Sequence, residues 1–157
     1  MTKQTDSNAS YPLGPALDFL QRLWQLNHAL EKVSIRMEKR LGVTAQQRFI
    51  LRCVGKYPGM TAGHLASLLH LDPGTVSASL RRLESKHLLE RRRDPKDNRR
   101  VSLGLTAKGR ALDRPATGTV ENAVERLLDV APENELASLV KIVEQLTALL
   151  EREMAAE

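Results

Sequence analysis

Thr61–Arg93 reads TAGHLASLLHLDPGTVSASLRRLESKHLLERRR, and the fold turns on its punctuation. Thr61 is a suitable N-cap for a short helix whose inward residues are Leu65, Ala66, Leu68 and Leu69. A tight break is expected at Leu71-Asp72. Asp72 can cap a second helix, and Pro73 falls at its first position, where a missing N–H costs nothing. This helix is expected to run to about Lys86, with Val76, Leu80 and Leu83 facing inward. Its other side carries Gly74, Thr75, Ser77, Ala78, Arg81 and Arg82, poor in large apolar groups.

After His87 the period falls from 3.6 to 2. LLERR and RVSLGL read as two short strands, with Val101, Leu103 and Leu105 alternating with Ser102 and Gly104. The turn between them, RDPKDN, is built from Asp, Pro and Asn. Helix, tight turn, helix and hairpin make a winged helix-turn-helix, in a chain that is mainly α with one small β-hairpin wing. The bare outer face of the second helix suits a major groove, and Arg81 and Arg82 fall where phosphates would lie.

Arg91–Val101, RRRDPKDNRRV, holds six basic residues in eleven. A guanidinium at the tip of a stiff turn can enter a narrow minor groove, where the negative potential is strong. A loose tail would lose more conformational entropy in doing so. Asp94 is expected to bond backbone in the turn and Asp97 to hold a neighbouring Arg. Arg91, Arg92 and Arg93 flank the tip, and Lys96, Asn98 and Arg99 complete the wing surface.

Towards the N-terminus, Leu13 to Leu41 repeats apolar residues at three- and four-residue steps through Leu17, Leu20, Leu23, Trp24, Leu26, Leu30, Val33 and Met37. Gly42 should close that long helix with a left-handed cap. Thr44 starts another helix, with Phe49, Ile50, Cys53 and Val54 inward, ending at Pro58-Gly59. On the far side, Thr106 caps AKGRAL, and Pro115 should interrupt the helix. Helix resumes through Val120, Ala123, Val124, Leu127 and Leu128. APENEL opens the last helix, whose stripe is Leu136, Leu139, Val140, Val143, Leu146 and Leu150. The expected organisation is a flexible tail (1–12), a dimerisation helix (13–42), the winged lobe (43–106) and C-terminal dimerisation helices (107–157). The terminal stripes exceed what one small lobe can cover, which points to a homodimer.

The 157 residues carry 24 Lys and Arg against 19 Asp and Glu, a net charge of +5. The distribution is uneven. Residues 81–110 hold eleven basic against four acidic side chains, while residues 111–157 hold four against ten. A concentrated positive patch suggests a polyanion, and double-stranded DNA is the partner expected. Aromatic content is 3%, too low for a base-stacking platform. No apolar run approaches the ~18 residues of a membrane span, MTKQTDSNAS is no apolar leader, and a cytoplasmic location is expected.

The pieces LGVTAQQ, the helix pair quoted above, DPKDNR and LTAKG together resemble the MarR family of bacterial transcription regulators, in order and spacing from about residue 15 to 153. The resemblance implies a homodimer with interlocked terminal helices on a palindromic operator. It implies minor-groove insertion of Arg99 and base contacts at Gly74, Thr75 and Ala78. It also implies a small-molecule or redox signal that lowers DNA affinity, usually relieving repression. Some positions depart from the family pattern. Lys96 stands where arginine is frequent, Asn98 where some relatives have a second arginine, and Ala78 where some have a long polar side chain. His87 stands where glycine often ends the helix.

A possible effector pocket for an aromatic or anionic ligand is Trp24 and His28, one helical turn apart, with Arg52 approaching the same space; dimer packing is the favoured reading of the first two. Cys53, the single cysteine, reads as a small core residue rather than a redox switch. His28, His64, His70 and His87 have no metal-ligand spacing. No nucleophile–base set and no phosphate loop stand out, so no cofactor, metal or catalytic role is expected. The alternative function is a winged-helix module that binds nucleic acid non-specifically or an acidic protein.

Overall fold

The computed structural model describes residues 12–93 and 101–156. Helix α1 (Pro15–Leu41) starts behind Gly14 and closes on Gly42, whose φ of 74° is the left-handed cap expected. Helix α2 (Ala45–Lys56) begins with a reciprocal capping box: the Thr44 hydroxyl accepts from Gln47 N–H and the Gln47 side chain accepts from Thr44 N–H. Helices α3 (Ala62–Leu69) and α4 (Pro73–Ser85) follow, then strands β1 (Leu89–Arg93) and β2 (Val101–Leu105). Helices α5 (Ala107–Leu112), α6 (Val120–Leu128) and α7 (Glu133–Ala155) complete the chain.

The core lies between α2, α3, α4 and the hairpin. Ile50, Leu51, Val54, Leu65, Val76, Leu80, Leu83, Leu88 and Leu103 are all buried there. The strands pair antiparallel, with Leu89 opposite Leu105 and Arg91 opposite Leu103. Leu103 N–H also donates to the Met60 carbonyl at 2.8 Å, which ties the hairpin to the α2–α3 turn. Pro115 falls in the break between α5 and α6, where Gly118 (φ 68°) turns the chain and Thr119 caps α6.

Two inward assignments fail. Phe49 is 58% exposed and Leu68 46%. Helix α2 instead turns Gln47, Arg48 and Leu51 inward beside Ile50, Cys53 and Val54. Burial of the arginine is possible because backbone carbonyls lie against it.

The apolar stripes of the outer helices are uncovered within one chain. Met37 is the one buried residue of α1, and α6 and α7 have none. No helix among the described residues is long and apolar enough to cross a membrane.

Candidate nucleic-acid interface

Helix α4 is held at both ends by local chemistry. Thr61 accepts from His64 N–H at 3.2 Å and starts α3. That helix ends on His70, which adopts φ 49°, and Leu71 N–H returns to the Ala66 carbonyl at 3.1 Å. The chain is thereby turned in two residues into Asp72. One oxygen of Asp72 accepts Thr75 N–H at 2.8 Å; the other accepts the Thr75 hydroxyl. These bonds hold the Asp72 carboxyl below its ordinary pKa. At the far end His87 takes φ 56°, the left-handed geometry expected where glycine is common.

Val76, Ser79, Leu80 and Leu83 form the buried side of α4. Gly74, Arg81 and Arg82 are exposed, while Thr75, Ser77 and Ala78 are half-buried on its flanks. The candidate reading residues thus share one helix, turned away from the core.

The wing is anchored to that helix. Arg91 Nε donates to Glu84 Oε1 at 2.6 Å, linking β1 to the end of α4. Arg92 Nε donates to Glu90 Oε1 at 2.8 Å on the same strand. Arg93 is exposed at the last described position of β1. Asp94, Lys96, Asp97, Asn98 and Arg99 lie outside the described residues. Glu84 and Glu90 were missed as wing anchors in the sequence, although acids close before a basic run are a readable signal.

The LTAKG segment has a clear physical role. The Thr106 hydroxyl donates to the His87 carbonyl at 2.7 Å and accepts Gly109 N–H at 3.0 Å. Thr106 N–H donates to the Leu88 carbonyl at 3.2 Å. A Cβ at position 109 would overlap that same carbonyl oxygen. Glycine there lets α5 sit directly on the base of the wing.

The profile of the MarR family matches residues 43–101, from just before α2 to the start of β2. Over that stretch the chain is similar to the MarR family. Over a longer stretch, the HTH-type transcriptional repressor MdtR of Bacillus subtilis (strain 168) is 29% identical over 115 residues, covering 73% of this chain and 74% of MdtR. The HTH-type transcriptional regulator TtmR of Methylorubrum extorquens (strain PA1) is 39% identical over 70 residues, and this chain spans 36% of TtmR's length. Among solved structures, Streptococcus pneumoniae FabT in complex with DNA superposes with a TM-score of 0.66 at 28% identity, covering 88% of this chain and 99% of FabT.

The joint of the chain lies between α5 and α6, and three arginines hold it. Arg40 of α1 donates to the Thr117 carbonyl. Arg48 of α2 donates to the carbonyls of Leu112 and, at 2.7 Å, Arg114, and to the Glu121 carboxylate. Arg52 donates to the Asp113 carbonyl and, at 3.1 Å, to its Oδ1. Gly55 faces the same aspartate, and a Cβ there would overlap the Asp113 carboxylate. The sequence signals none of these contacts, and Arg52, expected beside an effector, is engaged with Asp113 instead.

Trp24 and His28 do not join Arg52. They line an open depression made of α1 residues and Leu13 just before it. Arg52 instead borders a cavity of about 530 Å³ between α2 and α6, walled by Phe49, Val120 and Val124. Cys53 is buried, and burial pushes its thiol pKa up, with Lys56 pulling weakly the other way. A thiol so placed is a poor nucleophile.

Proposed function

We propose that this chain is a DNA-binding transcription regulator, a repressor that acts as a homodimer on a palindromic operator. Helix α4 enters the major groove and the wing enters the adjacent minor groove. One observation carries this reading. The α4 face turned from the core offers Gly74, Thr75, Ala78, Arg81 and Arg82, and the Arg91–Glu84 pair fixes the arginine-rich strand beside it. The likeness to a repressor and to a DNA-bound relative supports it.

Dimerisation rests on the uncovered stripes of α1, α6 and α7, which include Leu17, Leu20, Val124, Leu139 and Val143. An apolar area of that length needs a partner surface, and twofold pairing sets two α4 helices about 34–36 Å apart, one turn of DNA. The α2–α6 cavity has the size and apolar lining of an effector site. Arg52 at its edge suits an aromatic anion, whose carboxylate would compete with Asp113 for the guanidinium. Such a ligand lowers DNA affinity only to the extent that it prefers the lobe arrangement that DNA does not.

The deciding experiment compares a palindromic duplex, recovered by in vitro selection, with a scrambled duplex at one salt concentration. Specific binding should be tighter by about 10³ or more. Equal affinities would favour the alternative of a non-specific module or a module for acidic proteins.

A further inference from the structure

We propose that Asp72 fixes the polarity of the Thr75 hydroxyl, so that position 75 reads an exocyclic amino group of the operator, on adenine or cytosine, and not a guanine or thymine carbonyl. The inference rests on the reading of α4 as the helix that enters the major groove.

A threonine hydroxyl has one hydrogen and two lone pairs. A carboxylate can only accept. Asp72 uses one oxygen for Thr75 N–H at 2.8 Å and the other for the Thr75 hydroxyl, so both hydrogens of Thr75 are committed to the cap. What Thr75 can offer outward is a pair of acceptor sites and a methyl group. In the major groove the donors that match an acceptor are adenine N6 and cytosine N4, whereas guanine O6 and N7 and thymine O4 need a donor. For the same reason Thr75 cannot be a phosphate contact, because its hydroxyl has no hydrogen left and the adjacent carboxylate is negative. Gly74, next to it, has no side chain to stand between Thr75 and a base edge, and Asp72 is exposed in the turn.

Asp72→Asn reverses the polarity without losing the cap, since Asn and Asp are comparable N-caps. The Asn carbonyl keeps Thr75 N–H, and its amide then donates to Thr75 Oγ1, which turns the hydroxyl hydrogen outward. In vitro selection from a random duplex library is run on the full chain as wild type, D72N, T75V and D72N/T75V. Base frequencies are compared within each protein, because loss of one negative charge tightens all DNA binding. One position per half-site should be enriched in adenine or cytosine by wild type and in guanine or thymine by D72N, a swing of about tenfold in preference. T75V, which keeps shape and methyl, should flatten that position, and the double variant should match T75V. A D72N profile identical to wild type, or a wild-type preference for guanine at every α4-dependent position, overturns the inference. If wild type enriches no sites at all, the reading of α4 has failed instead, and the two outcomes are distinct.

Discussion

Arg48 of α2 donates its Nε–H to the Glu121 carboxylate of α6 from a position where 1% of its side chain is exposed. The same guanidinium caps the Leu112 and Arg114 carbonyls. One planar fork therefore joins α2 to α6 and to the connection between α5 and α6. A lysine, a single point charge, cannot span three acceptors in different directions.

Replacement of Arg48 by Met strands two carbonyls and an anion. The expected loss is about 3–5 kcal/mol, as for other buried pairs broken from one side. Arg48→Lys should recover only part of it. Urea unfolding at one fixed protein concentration measures both, and an unchanged midpoint for Arg48→Met would show that the guanidinium does not hold the joint.

Two glycines should respond in opposite directions. Gly109→Ala forces a methyl into the Leu88 carbonyl and should cost about 1–3 kcal/mol by overpacking. Gly63, in α3, has only the Thr61 hydroxyl near its added Cβ, at 3.9 Å. Gly63→Ala should stabilise by about 0.5–1 kcal/mol through helix propensity. Thermal melts of the two variants decide it; a shift of the same sign in both contradicts the contact.

The α4 cap should weaken in acid. Hydrogen bonds from Thr75 lower the folded-state pKa of Asp72 relative to the unfolded chain. Its stabilising effect is therefore fully present above the ordinary carboxylate pKa of about 3.9 and disappears as pH falls through the depressed folded value. The melting-temperature gap between wild type and Asp72→Ala should be constant near neutrality and shrink as pH falls below the ordinary carboxylate pKa of about 3.9. A gap that widens on acidification refutes the assignment.

Arg99→Ala should weaken operator binding and lower the slope of log K against log salt by about one. Titrations at four or five salt concentrations give the slope, and an unaltered one removes Arg99 from the phosphate and groove contacts.

A chain cut after Ala131 lacks α7 and its apolar stripe. It should lose the dimer, as read by sedimentation equilibrium. A truncated dimer of unchanged affinity would place the pairing surface elsewhere.

The winged lobe was legible because its boundaries are local. Thr44, Thr61, Asp72 and Thr106 each cap the helix that follows, through bonds spanning three residues. The alternation of Leu103 and Leu105 gave the strand face in the same way. Phe49 is misassigned by its periodicity, and the burial of Arg48 is not legible there because its partners are distant. The Leu112 and Arg114 carbonyls lie 64 and 66 residues from Arg48 in sequence. A hydrophobicity pattern places the apolar neighbour inside and cannot register such carbonyls. Thr119 as a cap and His70 as a left-handed turn also escaped notice, the second because glycine is the usual marker of that geometry. Of the candidate site, the α4 face follows from periodicity, whereas the acids Glu84 and Glu90 are readable as neighbours of the basic run but their partners, Arg91 and Arg92, are fixed only by the structure.

Helix α4 keeps its anchoring and its outward chemistry on separate sides. Val76, Leu80 and Leu83 bind it to the core, and none of them borders Gly74, Ala78 or Arg81 on the opposite side. The outward set can therefore be rewritten in combinatorial libraries while the scaffold stays constant. A protein engineer seeking a new operator would diversify those few letters and leave every interior side chain untouched.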